Sequence, residues 1–165
     1  MIGGIVAFSG VDTSDPFDAT GTINTGYGDD LVADQISPST PGNVLLMLGM
    51  VNDNRSYSGW NTNTPGPGTL GLTEIYDVEI NENLDMSIGA AYAANPNTGN
   101  TGDGDSELQN NENDYYGAIL IALKPITCSA TSNAGSALAA ICQGGTSAAL
   151  GGSVGGTATG GIWSS

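Results

Sequence analysis

The most strongly apolar stretch of the chain is Asn43–Val51, in which no side chain after Asn43 is polar. The run is too short to span a membrane, and it follows the turn-forming pair Pro41-Gly42. A strand with one buried face would alternate apolar and polar residues, so this pattern predicts a central β-strand covered on both faces. Ile2–Phe8 and Tyr116–Leu123 are similar runs, and three such strands indicate a sandwich with an apolar interior.

Weaker patterns predict further strands joined by turns. Apolar and polar residues alternate imperfectly over Leu72–Ile80 and more regularly over Leu84–Tyr92, and residues 31–36 are predicted to form a short strand. The segments 52–70 and 94–114 are polar and predict loops. With 26 Gly and 7 Pro spread along the chain, helices are disfavoured. Residues 1–125 are therefore predicted to form an all-β domain, an antiparallel and jelly-roll-like β-sandwich.

The composition changes sharply at residue 126. From Ile126 to Ser165 no residue is charged, and the segment consists mostly of Gly, Ala, Ser and Thr. Isolated apolar residues alternate with Gly pairs, which predicts short strands joined by Gly turns. Residues 126–165 are thus predicted to be a separate, Gly-rich and β-capable segment.

The charge is strongly one-sided and excludes several functions. The chain has 17 acidic residues and only two basic ones, Arg55 and Lys124, for a net charge of −15. Such a chain cannot neutralise phosphates, so we expect no nucleic-acid partner, and anionic membranes would repel it. The absence of His removes Ser–His and Cys–His catalysis within this chain. No carboxylate pair lies in an apolar setting that would raise one pKa, so we expect no enzyme activity.

The two cysteines and the first residues leave two questions open. Cys128 and Cys142 are too few to define a disulfide framework; they either pair across a short loop or are buried thiols. Met1-Ile-Gly-Gly has no basic region and no cleavage site. This start leads us to expect the interior of a longer protein.

Alternating carboxylates suggest a calcium site at Asp103, Asp105 and Glu107. Hard cations favour such oxygen ligands, but the position that an EF-hand loop reserves for Gly is occupied here by Leu108. The alternative interpretation is a solvated acidic loop that keeps the protein soluble. Divalent ions or salt should stabilise so acidic a fold in either case, since its charges repel one another.

Two aromatic residues suggest a glycan-binding surface. Trp60 and Tyr57 lie among Asn, Thr and Gly, and an exposed ring there could stack on a sugar. The alternative is that Trp60 forms a lid over one end of the core.

Several motifs resemble known bacterial proteins. Gly4–Ala19, Leu72–Asp77 and Ala118–Pro125 resemble, in this order, a β-sandwich domain of large secreted bacterial surface proteins, over residues 2–125. Residues 126–165, with Ala140–Ser147 and Gly160–Ser164, are similar to the start of an immunoglobulin-like repeat of Bacteroidetes-type adhesins. The resemblance implies an extracellular or cell-surface location and implies neither an enzyme nor a mapped binding site. In the first family, further strands precede the segment that matches Gly4.

The favoured hypothesis is an extracellular structural or adhesive protein that associates with copies of itself. A sandwich lacking strands would present an open edge, and a β-capable segment from a neighbour could complete it and build a fibre. Its alternative is a carbohydrate-binding module of a secreted surface protein. No membrane insertion is expected. The apolar residues assigned to assembly are Ile141, Leu150, Ile162 and Trp163.

Overall fold

The computed structural model describes residues 2–64, 68–81, 85–126, 130–133 and 153–156. The chain divides into two compact units, Met1–Ile126 and Thr127–Ser165; the composition changes at the same place. The described part of the first unit contains one short 3-10 helix, Gln109–Asn111, and ten strands. The strands are β1 (Phe17–Thr20), β2 (Asn24–Gly28), β3 (Asp30–Ala33), β4 (Asn43–Val51), β5 (Tyr57–Thr64), β6 (Gly68–Gly71), β7 (Thr73–Ile80), β8 (Met86–Asn95), β9 (Gly104–Leu108) and β10 (Asp114–Leu123).

These strands form two antiparallel sheets. The large sheet has the order β1-β10-β4-β8-β7, with β2 on the same side of β10 as β1, and the small sheet has the order β3-β9-β5-β6. The chain crosses between the sheets after β2, β3, β4, β6, β8 and β9. This order is that of a jelly roll, in which two Greek keys form a sandwich. The predicted all-β, antiparallel and jelly-roll-like sandwich is therefore confirmed.

The core lies between the two sheets and is built around β4. Leu45, Met47 and Val51 alternate along this strand, face the small sheet and are almost completely buried. Burial of each such side chain stabilises the fold by about 1.5–3 kcal/mol. Between them, Gly49 leaves space for Leu31, because an added Cβ would lie 2.2 Å from the Leu31 Cδ2. The prediction that β4 is central is confirmed, and its cover on the second face is partial, as shown below.

A β-bulge brings both aromatic residues of β5 into the core. A regular strand would direct residues three positions apart to opposite faces. Here the pairing of β5 with β9 shifts between Ser58 and Asn61, and Gly59 has a φ of +65°. The bulge inserts one residue, so Tyr57 and Trp60 both point inward, with ring centroids 5.3 Å apart.

The small sheet lies largely in segments that the sequence predicts as loops. β5 and all but the last residue of β6 lie within residues 52–70, and β9 lies within residues 94–114. These loop predictions are wrong because the outward positions of the strands, such as Asn61 and Asp105, are polar, while several inward positions are small. Thr62 and Ser106 are fully buried although they are polar.

The predicted strand Ile2–Phe8 belongs to no sheet, so this prediction is wrong. The side of β10 that faces away from β4 is paired with β1 and β2. Just after the segment, Val11 forms an isolated bridge with Pro125. Residues 2–9 instead lie against the large sheet. From Ile5 to Ser9, exposed and half-buried positions alternate, as expected of an extended chain.

The described part of the second unit is one antiparallel pair of strands. β11 (Ala130–Asn133) pairs with β12 (Ser153–Gly156). A two-stranded pair of this kind is only marginally stable by itself in water.

Candidate functional site

The outer face of the large sheet, which points away from the small sheet, carries no charged residue on β2, β4, β7, β8 or β10. Because side chains alternate along a strand, the positions that face outward on β4 are Val44, Leu46, Leu48 and Met50. Their ladder partners on β10 and β8 are apolar or Gly as well. On β7, a bulge at Ile75 directs Tyr76, Val78 and Ile80 outward and the strand's three acids inward. In a chain with a net charge of −15, this is an unusual surface.

The N-terminal segment, residues 2–9, covers one end of this outer face. The ring of Phe8 packs edge-on against Tyr92, with centroids 5.8 Å apart. Gly4 lies so close to the Tyr76 ring that a Cβ would be 2.4 Å from it. At this end of the face, Leu46 and Ala90 are buried.

The other end of the outer face contains an open apolar groove. Two adjoining cavities of about 250 and 150 Å³ share Ile23, Met50 and Gly117, so they form one depression. Ile23 is 69% exposed and Met50 is 47% exposed. Gly117 lies between them in the floor, where a Cβ would be 3.5 Å from the Met50 Cγ. The central strand is therefore covered on one face completely and on the other only in part.

A pair of exposed tyrosines borders the groove. Tyr115 on β10 is the ladder partner of Tyr27 on β2, and their ring centroids are 4.9 Å apart. Tyr115 also lines the groove, and a further cavity of about 430 Å³ lies beside both rings and Thr25. The pair offers aromatic surface to solvent, as 63% of Tyr27 and 67% of Tyr115 is exposed.

The rim of the groove is fixed by the ion pairs of Arg55. Its guanidinium contacts Asp53 at 2.8 Å, Glu112 at 2.6 Å and Asp114 at 2.8 Å. The hydrogen bond to Asp114 is the main cause that raises the pKa of Arg55. The cluster ties the loop after β4 to the start of β10, and the Asn52 amide donates to the Tyr115 carbonyl beside it.

The predicted glycan-binding residues Trp60 and Tyr57 lie in the core instead, each about 5% exposed. The Trp60 Nε1–H donates to Glu74 at 3.2 Å, and the Tyr57 hydroxyl is 3.0 Å from the Ser87 Oγ. Burial raises the pKa of Tyr57. Gly89 on β8 makes room for both rings. Neither residue can stack on a ligand from this position, so a stacking surface at these two residues is not present.

The predicted calcium ligands do not converge. Asp105 and Glu107 project from β9 on the solvent side of the small sheet, whereas Asp103 precedes the strand and accepts the Gln35 amide at 3.1 Å. Burial raises the pKa of Asp105, and the charges of Asp30 and Glu107 raise it further. Across the described ranges, no three Cys, Asp or Glu side chains form a group that could hold a metal ion. Calcium binding stays a prediction from composition.

Other predicted positions lie outside the described residues. These are the two cysteines and the four assembly residues, namely Cys128, Cys142, Ile141, Leu150, Ile162 and Trp163.

The apolar run of β4 also indicates where an exposed apolar groove could lie, although the sequence analysis did not draw this conclusion. The apolar run of β4 predicts cover on both faces, but among the described residues the small sheet covers one face and Ile2–Phe8 covers one end of the other. An apolar outer face without a matching covering element predicts an open surface.

Comparisons with protein-family models, with curated proteins and with solved structures found no match. Within the described part of the chain, no helix is long and apolar enough to cross a membrane.

Proposed function

We propose that this is an extracellular structural or adhesive protein that associates with copies of itself, forming a fibre by exchange of a β-capable segment. The observation that carries this proposal is the uncharged outer face, which is open at the groove. Exposed apolar surface of this kind is typical of an interaction site. The donated element in the proposal is the uncharged segment 126–165.

The distribution of charge supports association through this face. All 17 acidic residues precede residue 126, so two copies that approach with their acidic surfaces repel each other. Contact through the outer face and an uncharged segment brings no two like charges together. The charge therefore restricts which surfaces of two copies can meet.

The two edges of the large sheet differ in their capacity to accept a strand. The β7 edge directs Glu74, Asp77 and Glu79 inward and contains a bulge, and both features oppose strand addition. The opposite side, from Ala19 to Gly28, contains no charged residue. We propose that this side, with the adjoining groove, receives the segment of the neighbouring copy.

The proposal is tested by removal of the donated segment. A chain that ends at Ile126 retains the complete core cluster of the first unit and should remain monomeric where the full chain forms filaments. A second variant keeps the full length and charge of the chain and removes only the apolar side chains of the segment. In it, four residues are changed to Ser, namely Ile141, Leu150, Ile162 and Trp163. It should also fail to assemble. Sedimentation velocity and electron microscopy measure both outcomes.

A peptide of residues 136–165 provides the reciprocal test. It should bind the chain that ends at Ile126 and should block filament growth of the full chain, since it fills the acceptor without supplying another. Filaments formed by the shortened chain would contradict the proposal and would locate the contacts within the acidic sandwich.

A second candidate function is carbohydrate binding at the tyrosine pair. Exposed aromatic rings beside a cavity with polar neighbours can stack on sugar rings, and Tyr27, Tyr115 and Thr25 have this arrangement. A glycan array with the chain that ends at Ile126 tests it. Binding that is lost in Tyr115→Ala and retained in Phe17→Ala, another exposed aromatic position, would favour this function.

A further inference from the structure

We propose that Tyr27 and Tyr115 form an oxidative cross-linking site, at which a one-electron oxidant joins the two phenol rings of one copy as dityrosine. The oxidant belongs to the peroxidase class, with hydrogen peroxide as the electron acceptor. The new bond ties the edge strand β2 to β10. Its use in a fibre rests on the function proposed above, whereas its formation within one copy does not.

The backbone holds the two rings against each other. Tyr27 and Tyr115 are direct partners in the antiparallel ladder between β2 and β10, which has five residue pairs. Directly opposed side chains on one face of such a ladder have Cβ atoms about 4.5–5.5 Å apart. The ring centroids are 4.9 Å apart, and the ring planes are inclined by 55°. The carbons that couple lie on the ring perimeters, so rotation of the side chains brings them together without movement of the strands.

Both rings are accessible to an oxidant in solution. Tyr27 is 63% exposed and Tyr115 is 67% exposed, and a cavity of about 430 Å³ lies beside them. The other four tyrosines have different neighbours at their rings, namely Trp60 at Tyr57, Phe8 at Tyr92, Gly4 at Tyr76 and Gly26 at Tyr116. The pair on β2 and β10 therefore combines a close second phenol with access from solvent.

Reduction of the peroxide balances the coupling of the rings. The oxidant removes one electron and one proton from each phenol hydroxyl, which gives two phenoxyl radicals. The unpaired electrons form a C–C bond between the ring carbons ortho to the two oxygens. The hydrogen on each of these carbons then moves to the ring oxygen and restores the phenol. The two electrons and two protons that were removed convert one hydrogen peroxide into two waters.

A bond at this place would reinforce the edge that the proposed fibre uses. Residues 1–126 contain no Cys, so no disulfide can join two strands within this part of the chain. β2 lies beside β10 at the edge of the large sheet. In the proposed fibre the neighbouring copy pulls on this edge, because its segment is received there. The bond keeps β2 on the sheet and closes a loop that contains β3 to β9, which also restricts the unfolded chain.

The first experiment treats the full-length chain with a peroxidase and hydrogen peroxide, at a concentration where the chain sediments as a monomer. Intact mass should show the loss of two hydrogen atoms per chain, and peptide mapping should join the peptides that contain Tyr27 and Tyr115. Tyr115→Phe retains the ring and removes the phenol, so this cross-link should be lost. Tyr92→Phe is the matched control, because it removes another exposed phenol, and it should retain the cross-link.

A mixture of isotopically heavy and light chains separates cross-links within one copy from those between copies. Three results would each overturn the inference. One is equal cross-linking of the wild type and Tyr115→Phe, and another is a product that joins two copies alone. The third is gain of oxygen at Met50 and Met86, which line the groove beside Tyr115, with no loss of hydrogen.

The second experiment measures whether the bond reinforces the fold. Peroxidase-treated wild type and peroxidase-treated Tyr115→Phe are each compared with the untreated protein in urea unfolding. The midpoint should rise for the wild type and stay constant for the variant, because only the wild type carries the closed loop. An unchanged midpoint after complete cross-linking would overturn the role of the bond in holding β2. A chain that cross-links but never forms filaments would support the site and overturn the proposed function, whereas filaments without the cross-link would do the reverse.

Discussion

A graded series of substitutions along β4 measures how completely each face of this strand is covered. Leu45 and Met47 face the small sheet and are 1% and 0% exposed, whereas Met50 faces the groove and is 47% exposed. The change to Ala removes most of the side chain in each case. The two groups of positions differ mainly in what surrounds the side chain that is lost.

The structure gives different magnitudes for the two faces. Leu45→Ala and Met47→Ala leave closed cavities between the sheets and should lower the free energy of unfolding by about 2–5 kcal/mol each. Met50 buries only about half of its surface, and full burial of Met is worth about 1.5–3 kcal/mol, so Met50→Ala should cost about 1 kcal/mol. No closed cavity follows, because the groove is already open to solvent. Leu46, under the covered end of the face, should behave like Leu45.

Urea unfolding measured by circular dichroism provides the assay, at protein concentrations where the wild type sediments as a monomer. A constant slope of free energy against urea shows that the compactness of the states has not changed. If Met50→Ala destabilised the monomer as much as Leu45→Ala, the outer face would be covered at the groove, and the argument for an open acceptor would fail. If Leu46→Ala cost less than 1 kcal/mol, residues 2–9 would not protect that end of the face.

Three further predictions follow from single contacts and from charge. Gly49→Ala should be strongly destabilising in the same assay because its Cβ would overlap Leu31, whereas Gly71→Ala should be nearly neutral. The contribution of Asp77 and Asp105 to thermal stability should rise as the pH falls from 7 toward 3.8, the ordinary pKa of Asp. Burial raises the pKa of both carboxyl groups, so the folded state binds more protons there. Melting curves of the double variant Asp77→Asn, Asp105→Asn should show a weaker pH dependence, and an unchanged slope would refute this assignment. NaCl should raise the melting temperature by screening, and a larger effect of Ca²⁺ at equal ionic strength would reveal the calcium site that the acidic pattern predicts.

The large sheet could be predicted because its strands have an apolar pattern. β4 and β10 are continuous apolar runs, and β7 and β8 alternate, so each is recognisable from local sequence. Of the four strands described in the small sheet, β3 overlaps the short strand predicted over residues 31–36, and the other three could not be predicted in the same way. β6 and β9 have only four and five residues, and Thr62 and Ser106 occupy positions where the pattern requires apolar residues. These two polar residues are buried between the sheets because of the tertiary fold, and no local signal distinguishes them from residues of a loop.

The position of Trp60 depends on one irregularity that a regular pattern conceals. In a regular strand with Tyr57 facing inward, Trp60 would face outward, and its ring would be exposed to solvent. The bulge at Gly59 reverses this direction. A Gly before an aromatic residue in a polar strand is a weak hint of such a bulge. The glycan-binding interpretation therefore failed at Trp60, whereas Tyr27 and Tyr115 are exposed aromatic rings that the sequence analysis did not single out.

The segment Ile2–Phe8 shows how nonlocal competition decides the role of an apolar run. Its composition is that of a strand. However, the side of β10 that faces away from β4 is already paired with β1 and β2, both of which follow Ile2–Phe8 in the chain. The segment therefore contributes side chains to the outer face and adds no strand to the sheet. Since one apolar segment without a sheet can already pack on this face, a second one from another copy needs no new kind of contact. The apolar pattern of β4 that predicted a central strand is therefore consistent with an outer face that is partly exposed at the groove. Because this face carries no charge, an uncharged segment of a neighbouring copy is the element we propose to cover it.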